Sequence, residues 1–227
     1  MAAGDGTRLR PLTERWAKPI LPIDGRPVLA TLLRELARSG LGRATIVVGH
    51  LAEGVETLIR DGAWGIDVRC VRQESADGSA DAVRRAVEEG AEPPFLITAA
   101  DTVYTAGDVA RFAAALAESG AEGGIAVRRD PPPSPGKPPV RIRDGLVQRV
   151  VDDDPANPLG SAPLWALGPR LAPFFDDLPG PPYELRNVFQ RAIDAGLPVA
   201  AVEIGPTRDL TDPLDLAREN FPYLRAL

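Results

Sequence analysis

The sequence predicts an α/β protein built on a mostly parallel sheet with helices on both faces. Strand and helix patterns alternate along the chain, beginning with strands over residues 44–48 and 66–71 on either side of a helix over 52–60. The first of these strands is a continuous β-branched run, which is typical of strands buried on both faces of a parallel sheet. A turn with two glycines also stands near the start of the chain, where α/β folds commonly bind phosphate.

The other elements follow from periodicity and from turn residues. A first helix is predicted by the i, i+3, i+4, i+7 spacing of Leu29, Leu32, Leu33 and Leu36. Later helices are predicted after residue 79, over 109–117, after 183, and from Pro213, which Asp212 would cap. Strands are predicted over 95–100, 123–127 and 199–204. Two alternating runs within 140–150 predict a hairpin about an Asp-Gly turn, and six prolines within 131–139 predict a stiff loop.

The first eighteen residues predict a cradle for a triphosphate. Gly4 and Gly6 let successive backbone N–H groups approach a bulky anion without a Cβ in the way. Arg8 adds a planar fork of donors suited to phosphoryl oxygens, and Lys18 adds a point charge that can follow a phosphate as it moves. Lys18 is one of two lysines in the chain, and the other is Lys137 in the proline-rich loop. The turn is not a Walker P-loop, because no G-K-[ST] follows it.

The run A-A-G-D-G-T-R-L-R-P-L-T, followed by Lys18-Pro19, resembles the signature of the nucleotidyltransferase family that includes sugar-1-phosphate nucleotidylyltransferases. The resemblance implies a three-layer, Rossmann-like (GT-A-like) fold. It implies one domain over 1–227, with a nucleotide-binding half at 1–125 and an acceptor-binding half at 126–227. It also implies transfer of a nucleoside monophosphate from an NTP to a phosphorylated acceptor. The turn residues implied to bind the nucleotide are Ala3, Gly4, Gly6, Thr7 and Arg8.

Two aspartates in distant parts of the chain are candidate metal ligands. Asp101 follows the predicted strand over 95–100, and a carboxylate at that end of a parallel strand faces the ligand crevice. Carboxylate oxygens are ligands that Mg²⁺ prefers. The run from Asp209 to Leu216 is similar to the closing motif of the family, whose first aspartate is its second metal ligand. The resemblance therefore implies Mg²⁺ held by Asp101 and Asp209, with Arg8 and Lys18 as catalytic cations.

A segment over 73–82 is similar to the family segment that contacts the nucleobase. The amide of Gln73 offers both a donor and an acceptor to a base edge, and Gly78 would let the ring lie against the backbone. The structural alternative is a glycine-bearing loop that caps the next helix through Asp77 or Ser79.

The acceptor is less defined by the sequence. The resemblance places Asp153 and Glu184 near it, although Glu184 can equally be a charge that favours the N-terminus of a helix. Asp154 stands where relatives acting on sugar phosphates carry a lysine, and a carboxylate there repels phosphate. A sugar 1-phosphate is the favoured acceptor. Cytidylyltransferase-type transfer to phosphocholine or a cyclitol phosphate, and a non-catalytic nucleotide-binding paralogue, stay open.

Composition limits the partners further. The chain has 227 residues, a net charge of −6 and one cysteine, Cys70. Its acidity argues against general affinity for nucleic acid or an anionic membrane. The lone cysteine excludes an internal disulfide and is predicted to be a buried filler. Because no run approaches the ~20 apolar residues of a bilayer span and no signal peptide is visible, we expect a cytoplasmic protein. A homo-oligomer is compatible with this sequence.

Two further expectations concern single positions. In the family a short strand precedes the glycine turn, and Met1-Ala2-Ala3 leaves no room for it, so we expect the natural start to lie upstream. His50 is the sole histidine and follows a predicted strand. The proposed reaction needs no added base, so His50 is predicted to be a structural loop residue.

Overall fold

The computed structural model describes residues 1–134 and 137–221. The helices within these residues are α1 (Val28–Arg38), α2 (Ala52–Asp61), α3 (Ser79–Glu88), α4 (Asp108–Ser119), α5 (Leu185–Asp194) and α6 (Pro213–Asn220). The strands are β1 (Pro22–Ile23), β2 (Arg26–Pro27), β3 (Arg43–Val48), β4 (Asp67–Arg72), β5 (Phe95–Thr98), β6 (Thr102–Tyr104), β7 (Gly123–Arg128), β8 (Arg141–Arg143), β9 (Leu146–Arg149), β10 (Gly160–Leu167), β11 (Val199–Glu203) and β12 (Thr207–Asp209). The chain forms two compact units.

The first unit comprises Met1–Ala76, Ala99–Val103 and the described residues from Arg208 onward. Its β3 and β4 pair in parallel along all six residues of each strand. Ala2 extends this sheet through a parallel bridge to Val48, so the start of the chain lies beside β3. The predicted order of strand, helix and strand over 44–71 is therefore confirmed.

A small apolar core ties the N-terminal turn of this unit to its C-terminal segment. The core cluster consists of Leu9, Leu21, Ile23, Val28 and Leu210, all at most 5% exposed. Leu9 directly follows Arg8 of the glycine turn, and Leu210 lies shortly before α6. Because both pack in this one core, it holds the two segments together. β6 and β12 pair with each other and belong to this unit except for Tyr104 and Thr207.

The predicted cap of α6 is confirmed. The Asp212 carboxylate accepts the backbone amides of Leu214 at 2.8 Å and Asp215 at 3.2 Å. In return the Asp215 carboxylate accepts the amide of Asp212 at 3.0 Å, which completes a capping box. The first turn of α6 is thereby fixed just after Asp209.

The second unit comprises Asp77–Thr98 and Tyr104–Thr207, and its sheet is mixed. The strand order is β5-β10-β7-β11-β9-β8, in which only β7 and β11 pair in parallel. The expectation of a mostly parallel sheet is corrected here. Parallel neighbours are usually joined by a helical crossover, and the chain between β7 and β10 contains a hairpin and, in its described residues, no helix.

The sequence did not predict β10, nor the short strands β1, β2, β6 and β12. β10 contains Gly160 and Pro163, two residues that argue against a strand in the middle of a sheet. Its pairing with β7 is irregular between Ser161 and Trp165, which is where the proline lies. The carbonyl oxygen of Pro163 accepts the Tyr104 hydroxyl at 2.8 Å. The irregular pairing with β7 and the hydrogen bond from Tyr104 together accommodate a proline in an interior strand.

Other predictions in this part of the chain can be compared directly. The hairpin of β8 and β9 is confirmed, and Asp144 and Gly145 both have the left-handed φ of its turn, +52° and +74°. Cys70, on β4 of the first unit, is half-buried rather than a fully buried filler. The two units interleave along the chain, so they do not follow the predicted halves 1–125 and 126–227, whose functional meaning stays a prediction. No helix in the described part of the chain combines the length and the apolar character of a membrane span.

Candidate active site

A cavity of about 320 Å³ lies in the first unit beside the N-terminal turn. This volume falls in the range of small-ligand pockets. The cavity brings together six of the residues that the sequence predicted to act on the nucleotide, namely Gly4, Gly6, Thr7, Arg8, Lys18 and Asp101. Ala3 lies behind them, since it is buried and its carbonyl oxygen approaches Gly49.

The two glycines of the turn differ in what the fold requires of them. Gly6 has a left-handed φ of +58°, and a Cβ there would lie 2.8 Å from the Thr13 methyl group. The fold itself therefore requires glycine at this position. Gly4 has no positive φ, and no described atom lies within 4 Å of the place a Cβ would take. Since neither backbone nor packing demands glycine there, its open space suits a ligand that enters the cavity.

Thr13, to which the sequence assigned no role, holds this turn in place. It is 2% exposed, and its hydroxyl donates to the Gly6 carbonyl oxygen at 2.8 Å. His50 lies with its Nε2 atom 2.8 Å from the carbonyl oxygen of Thr13, so that nitrogen carries the proton and donates. His50 thus supports the turn from behind, which agrees with the structural role predicted for it.

Replacing Gly4 by alanine is expected to weaken NTP binding about tenfold or more without unfolding the protein. A methyl group has room in the free protein, but it would stand where phosphate oxygens approach, and overpacking of this kind costs about 1–3 kcal/mol. Calorimetric titration with NTP and urea unfolding would measure the two effects. Gly6→Ala is the matched control, because it should lower the free energy of unfolding. Unchanged affinity in Gly4→Ala would contradict this role for Gly4.

Lys18 and Asp101 form an ion pair inside the cavity, with side chains only 16% and 24% exposed. Charges so placed are less screened by salt than surface pairs. A cation that binds to Asp101 must compete with Lys18, and an anion that binds beside Lys18 must compete with Asp101. The pair therefore favours joint entry of a metal ion and a phosphate, which offer each side chain a new partner of opposite charge.

Asp209 belongs to the same neighbourhood through its strand and through Thr211. β12, which ends at Asp209, pairs with β6, which begins directly after Asp101. The Thr211 hydroxyl donates to the Asp209 carboxylate at 3.3 Å, and Thr211 lines the cavity together with Asp101. Asp209 itself is not among the residues that line the cavity, and its contact with a metal ion there stays a prediction.

These two aspartates fit a magnesium ion that is held partly by substrate. Mg²⁺ is usually bound by one or two carboxylates, with substrate phosphates and waters completing its shell. No group of three or more histidine, cysteine, aspartate or glutamate side chains that could hold a metal occurs among the described residues. A two-carboxylate site beside a phosphate turn is consistent with both facts. Mg²⁺ binding itself stays a prediction.

The predicted base-binding residues have structural roles that the sequence did not indicate. Gln73 follows β4 directly, is buried, and donates its backbone amide to Val48 at 2.8 Å in the first unit. Gly78, in the second unit, has φ +113°, and a Cβ there would lie 2.3 Å from the carbonyl oxygen of Tyr183. The close passage of Tyr183 thus already explains the glycine. Contact of either residue with a base stays a prediction.

Replacing Gly78 by alanine is expected to lower the free energy of unfolding by about 2 kcal/mol or more. Both the backbone conformation and the contact with Tyr183 oppose a Cβ, and each effect is worth about 1–3 kcal/mol. Gly90→Ala is the control, because Gly90 has a similar φ of +89° with open space around it. Urea unfolding of the two variants would test this, and equal losses would contradict the role given to Tyr183.

The loop-capping alternative for residues 73–82 is corrected for Ser79. α3 begins at Ser79, and its N-cap residue is Gly78, which has no side chain to act as a cap. The Ser79 hydroxyl instead accepts the amide of Leu185 at 2.8 Å and donates to the Glu184 carboxylate at 3.2 Å. Glu184 lies at the N-cap position of α5, where a negative charge is favourable. Its proposed contact with the acceptor stays a prediction.

Among the three consecutive aspartates, only Asp152 is buried. Burial raises the pKa of Asp152, but hydrogen bonds from Asn157 at 2.8 Å and Arg141 at 2.5 Å outweigh burial and hold this pKa below its ordinary value. Asp154 closes a turn by accepting the amide of Ala156 at 2.9 Å. Asp153 is exposed. The pair that faces solvent is therefore Asp153 and Asp154, and both carry negative charge.

An α/β unit that gathers a glycine turn, two cations and a carboxylate around one cavity has the features of a phosphate-binding protein. A sequence model described as nucleotidyl transferase matches residues 1–135, more than half of the chain, and the chain belongs to that family. The resemblance carried by the N-terminal motif is confirmed.

Individual relatives agree with this assignment. The bifunctional protein GlmU of Paracidovorax citrulli is 32% identical over 237 residues, which cover 98% of this chain and 47% of the relative. The CMP-5′-(3-aminopropyl)phosphonate synthase of Streptomyces rubellomurinus is 34% identical over 155 residues, which cover 67% of this chain and 24% of the relative. The chain thus spans about half the length of the GlmU relatives that it matches.

A solved structure extends the likeness to the whole fold. UDP-glucose pyrophosphorylase in complex with UDP-glucose superposes with a TM-score of 0.84, at 17% identity, over 100% of this chain and 97% of the other. The predicted GT-A-like nucleotidyltransferase fold is confirmed by this similarity, with the correction that the sheet is mixed.

Proposed function

We propose that this protein is a nucleotidylyltransferase that transfers a nucleoside monophosphate from an NTP to a sugar 1-phosphate and releases pyrophosphate. The observation that carries the proposal is the single cavity in which the glycine turn, Arg8, Lys18 and Asp101 meet. Family membership supports the same reaction type. The names of relatives such as GlmU and UDP-glucose pyrophosphorylase support a sugar phosphate as acceptor.

The chemistry requires positioning and charge neutralisation rather than a base. A phosphate oxygen of the acceptor attacks the α-phosphorus of the NTP, and the bond from that phosphorus to the pyrophosphate oxygen breaks. An acceptor phosphate is already ionised, so no proton has to be removed. A reaction without a base is compatible with the position of His50, the sole histidine. His50 is not among the residues that line the cavity, and its Nε2 bonds to the Thr13 carbonyl oxygen.

Each cavity residue has a distinct task in this reaction. The turn from Gly4 to Arg8 receives the β- and γ-phosphates, and the Arg8 guanidinium neutralises the charge that grows on departing pyrophosphate. Lys18 exchanges Asp101 for oxygens of the α-phosphate or of the acceptor. When bound to Asp101 and Asp209, Mg²⁺ would supply further neutralisation of the two reacting phosphates.

A second candidate acceptor is a phosphonate or phosphate that carries an amine. The exposed Asp154 places a negative charge where sugar-phosphate enzymes are expected to carry a lysine, next to the exposed Asp153, and the two carboxylates would attract an ammonium group. The similarity to CMP-5′-(3-aminopropyl)phosphonate synthase over 67% of the chain favours the same class.

Measurement of pyrophosphate release would test the proposal. Each of ATP, CTP, GTP, UTP and dTTP is paired with glucose 1-phosphate, inositol 1-phosphate or 3-aminopropylphosphonate in the presence of Mg²⁺. We expect release with a sugar phosphate and one preferred NTP, and only when both substrates are present. Release with the aminoalkyl phosphonate alone would select the second candidate. NTP binding without release from any pair would overturn the enzyme assignment.

A further inference from the structure

Arg208 directly precedes Asp209, and it joins three parts of the first unit. Its guanidinium binds both carboxylate oxygens of Asp24, one of them at 3.2 Å, and binds Glu219 at 3.0 Å. Asp24 lies in the turn between β1 and β2, and Glu219 lies in the last turn of α6. Arg208 thus fastens β12 to the hairpin turn and to α6.

The hairpin and α6 also hold each other, so the anchor for Arg208 is rigid. The amide of Asp24 donates to the Glu219 carbonyl oxygen at 3.2 Å. Asn220 accepts the amide of Gly25 at 2.8 Å and donates to the Pro22 carbonyl oxygen at 2.8 Å. A two-point pair between arginine and carboxylate fixes direction as well as distance.

The segment over 208–211 runs from the contacts of Arg208 with the hairpin to the cavity. Leu210 is buried in the core beside Ile23 of β1, on the side of the hairpin. Arg208 reaches the same hairpin, whereas Thr211 lines the cavity and bonds to Asp209. Arg208 and Leu210 thus both contact the hairpin side, and Asp209 between them bonds to Thr211, which lines the cavity.

We propose that Arg208 is a positioning residue that sets the orientation of the Asp209 carboxylate for a divalent metal ion bound with a polyphosphate. The proposal rests on the proposed function, in which Asp209 is a metal ligand. Asp215 fixes the other side of the segment, because its carboxylate accepts the amides of Thr211 at 2.8 Å and Asp212 at 3.0 Å. Asp209 thus lies between two anchored positions, Arg208 and Thr211.

The test measures how strongly a metal ion increases polyphosphate affinity. Inorganic tripolyphosphate is titrated calorimetrically into the protein with and without Mn²⁺, and the ratio of the two affinities is compared among variants. We expect Arg208→Gln to lower this ratio about 10-fold, the lower end of the effect of losing a group bonded directly to a metal ligand, because Arg208 acts on Asp209 through the backbone. Its affinity for tripolyphosphate without Mn²⁺ should stay near that of the wild type, which a general loss of structure would not allow.

Further variants separate the possible results. Asp24→Asn should lower the ratio as well, and the double variant should lose little more than either single one, because both remove the same pair. Arg208→Lys keeps the charge and should recover part of the ratio, so it carries the test if Arg208→Gln does not fold. Arg129→Gln removes an exposed two-point pair with Glu203 in the second unit and should have no effect.

Asp209→Asn distinguishes failure of this inference from failure of the proposed function. A lowered ratio in Asp209→Asn with an unchanged ratio in Arg208→Gln and Asp24→Asn would overturn the role of Arg208 alone. An unchanged ratio in Asp209→Asn would remove Asp209 as a metal ligand, and the inference would fall with it. An equal loss in Arg129→Gln would show that the effect is not specific to this anchor.

Discussion

Replacing Arg8 by glutamine is expected to lower kcat about 10²–10³-fold while the Kd of the NTP changes far less. The guanidinium lies at the cavity beside the glycine turn, and its charge matters most when pyrophosphate leaves. Loss of an interaction that is strongest in the transition state lowers kcat and kcat/KM together. Steady-state rates of pyrophosphate release and calorimetric titration of the NTP would measure the two quantities.

Arg10→Gln is the matched control for Arg8. Arg10 is exposed, lies two residues further along, and is not part of the cavity lining. Its replacement removes the same charge from the same segment and should leave kcat within about threefold, because surface substitutions away from special features have effects near ±0.5 kcal/mol. Equal losses of NTP affinity and turnover in Arg8→Gln would instead make Arg8 a uniform binding residue.

Replacing Asp101 by asparagine is expected to have opposite effects on turnover and on metal-free binding. Turnover should fall about 10³-fold, because metal-assisted charge neutralisation is worth several kcal/mol and each 1.36 kcal/mol is a factor of ten. NTP binding without a metal ion should become tighter, because Lys18 no longer has a carboxylate partner and is available to phosphate. This sign follows from the ion pair and would not follow from simple damage to the site.

Asp67→Asn, at the exposed start of β4, is the control for this change of charge. It should leave both the rate and metal-free NTP affinity unchanged. Weaker metal-free binding in Asp101→Asn would show that the carboxylate supports the nucleotide site directly. That result would contradict the proposal that Lys18 leaves Asp101 to bind phosphate, even if turnover fell as expected.

Much of the fold could be predicted because the relevant signals are local. The leucine spacing of α1, the Asp-Gly turn of the hairpin and the Asp-Pro start of α6 each depend on a few adjacent residues. β10 could not be predicted this way, since its proline is accommodated by an irregular pairing with β7 and a bond from Tyr104. The direction of a strand also depends on partners that are distant in sequence. Local patterns therefore could not predict that the sheet is mixed.

The site could be predicted in its members but not in its connections. The N-terminal motif predicted the glycines and both cations that line the cavity, and Asp101, predicted from its place after a strand, lines it as well, whereas the role of Asp209 stays a prediction. The ion pair between Lys18 and Asp101 joins residues far apart in sequence, so no local pattern indicates it. The support of Gly6 by Thr13 and the passage of Tyr183 over Gly78 are likewise contacts between distant segments.

The central claim is that the N-terminal turn, Asp101 and Asp209 surround one metal-bound nucleotide. A crystal structure with a non-hydrolysable NTP analogue and Mn²⁺ tests it most directly, because the anomalous signal of manganese locates the ion. We expect the manganese peak within coordination distance of both carboxylates, the phosphates along Gly4 to Arg8, and Lys18 bound to phosphate. A manganese peak remote from Asp101 and Asp209, with Lys18 still paired to Asp101, would contradict the claim.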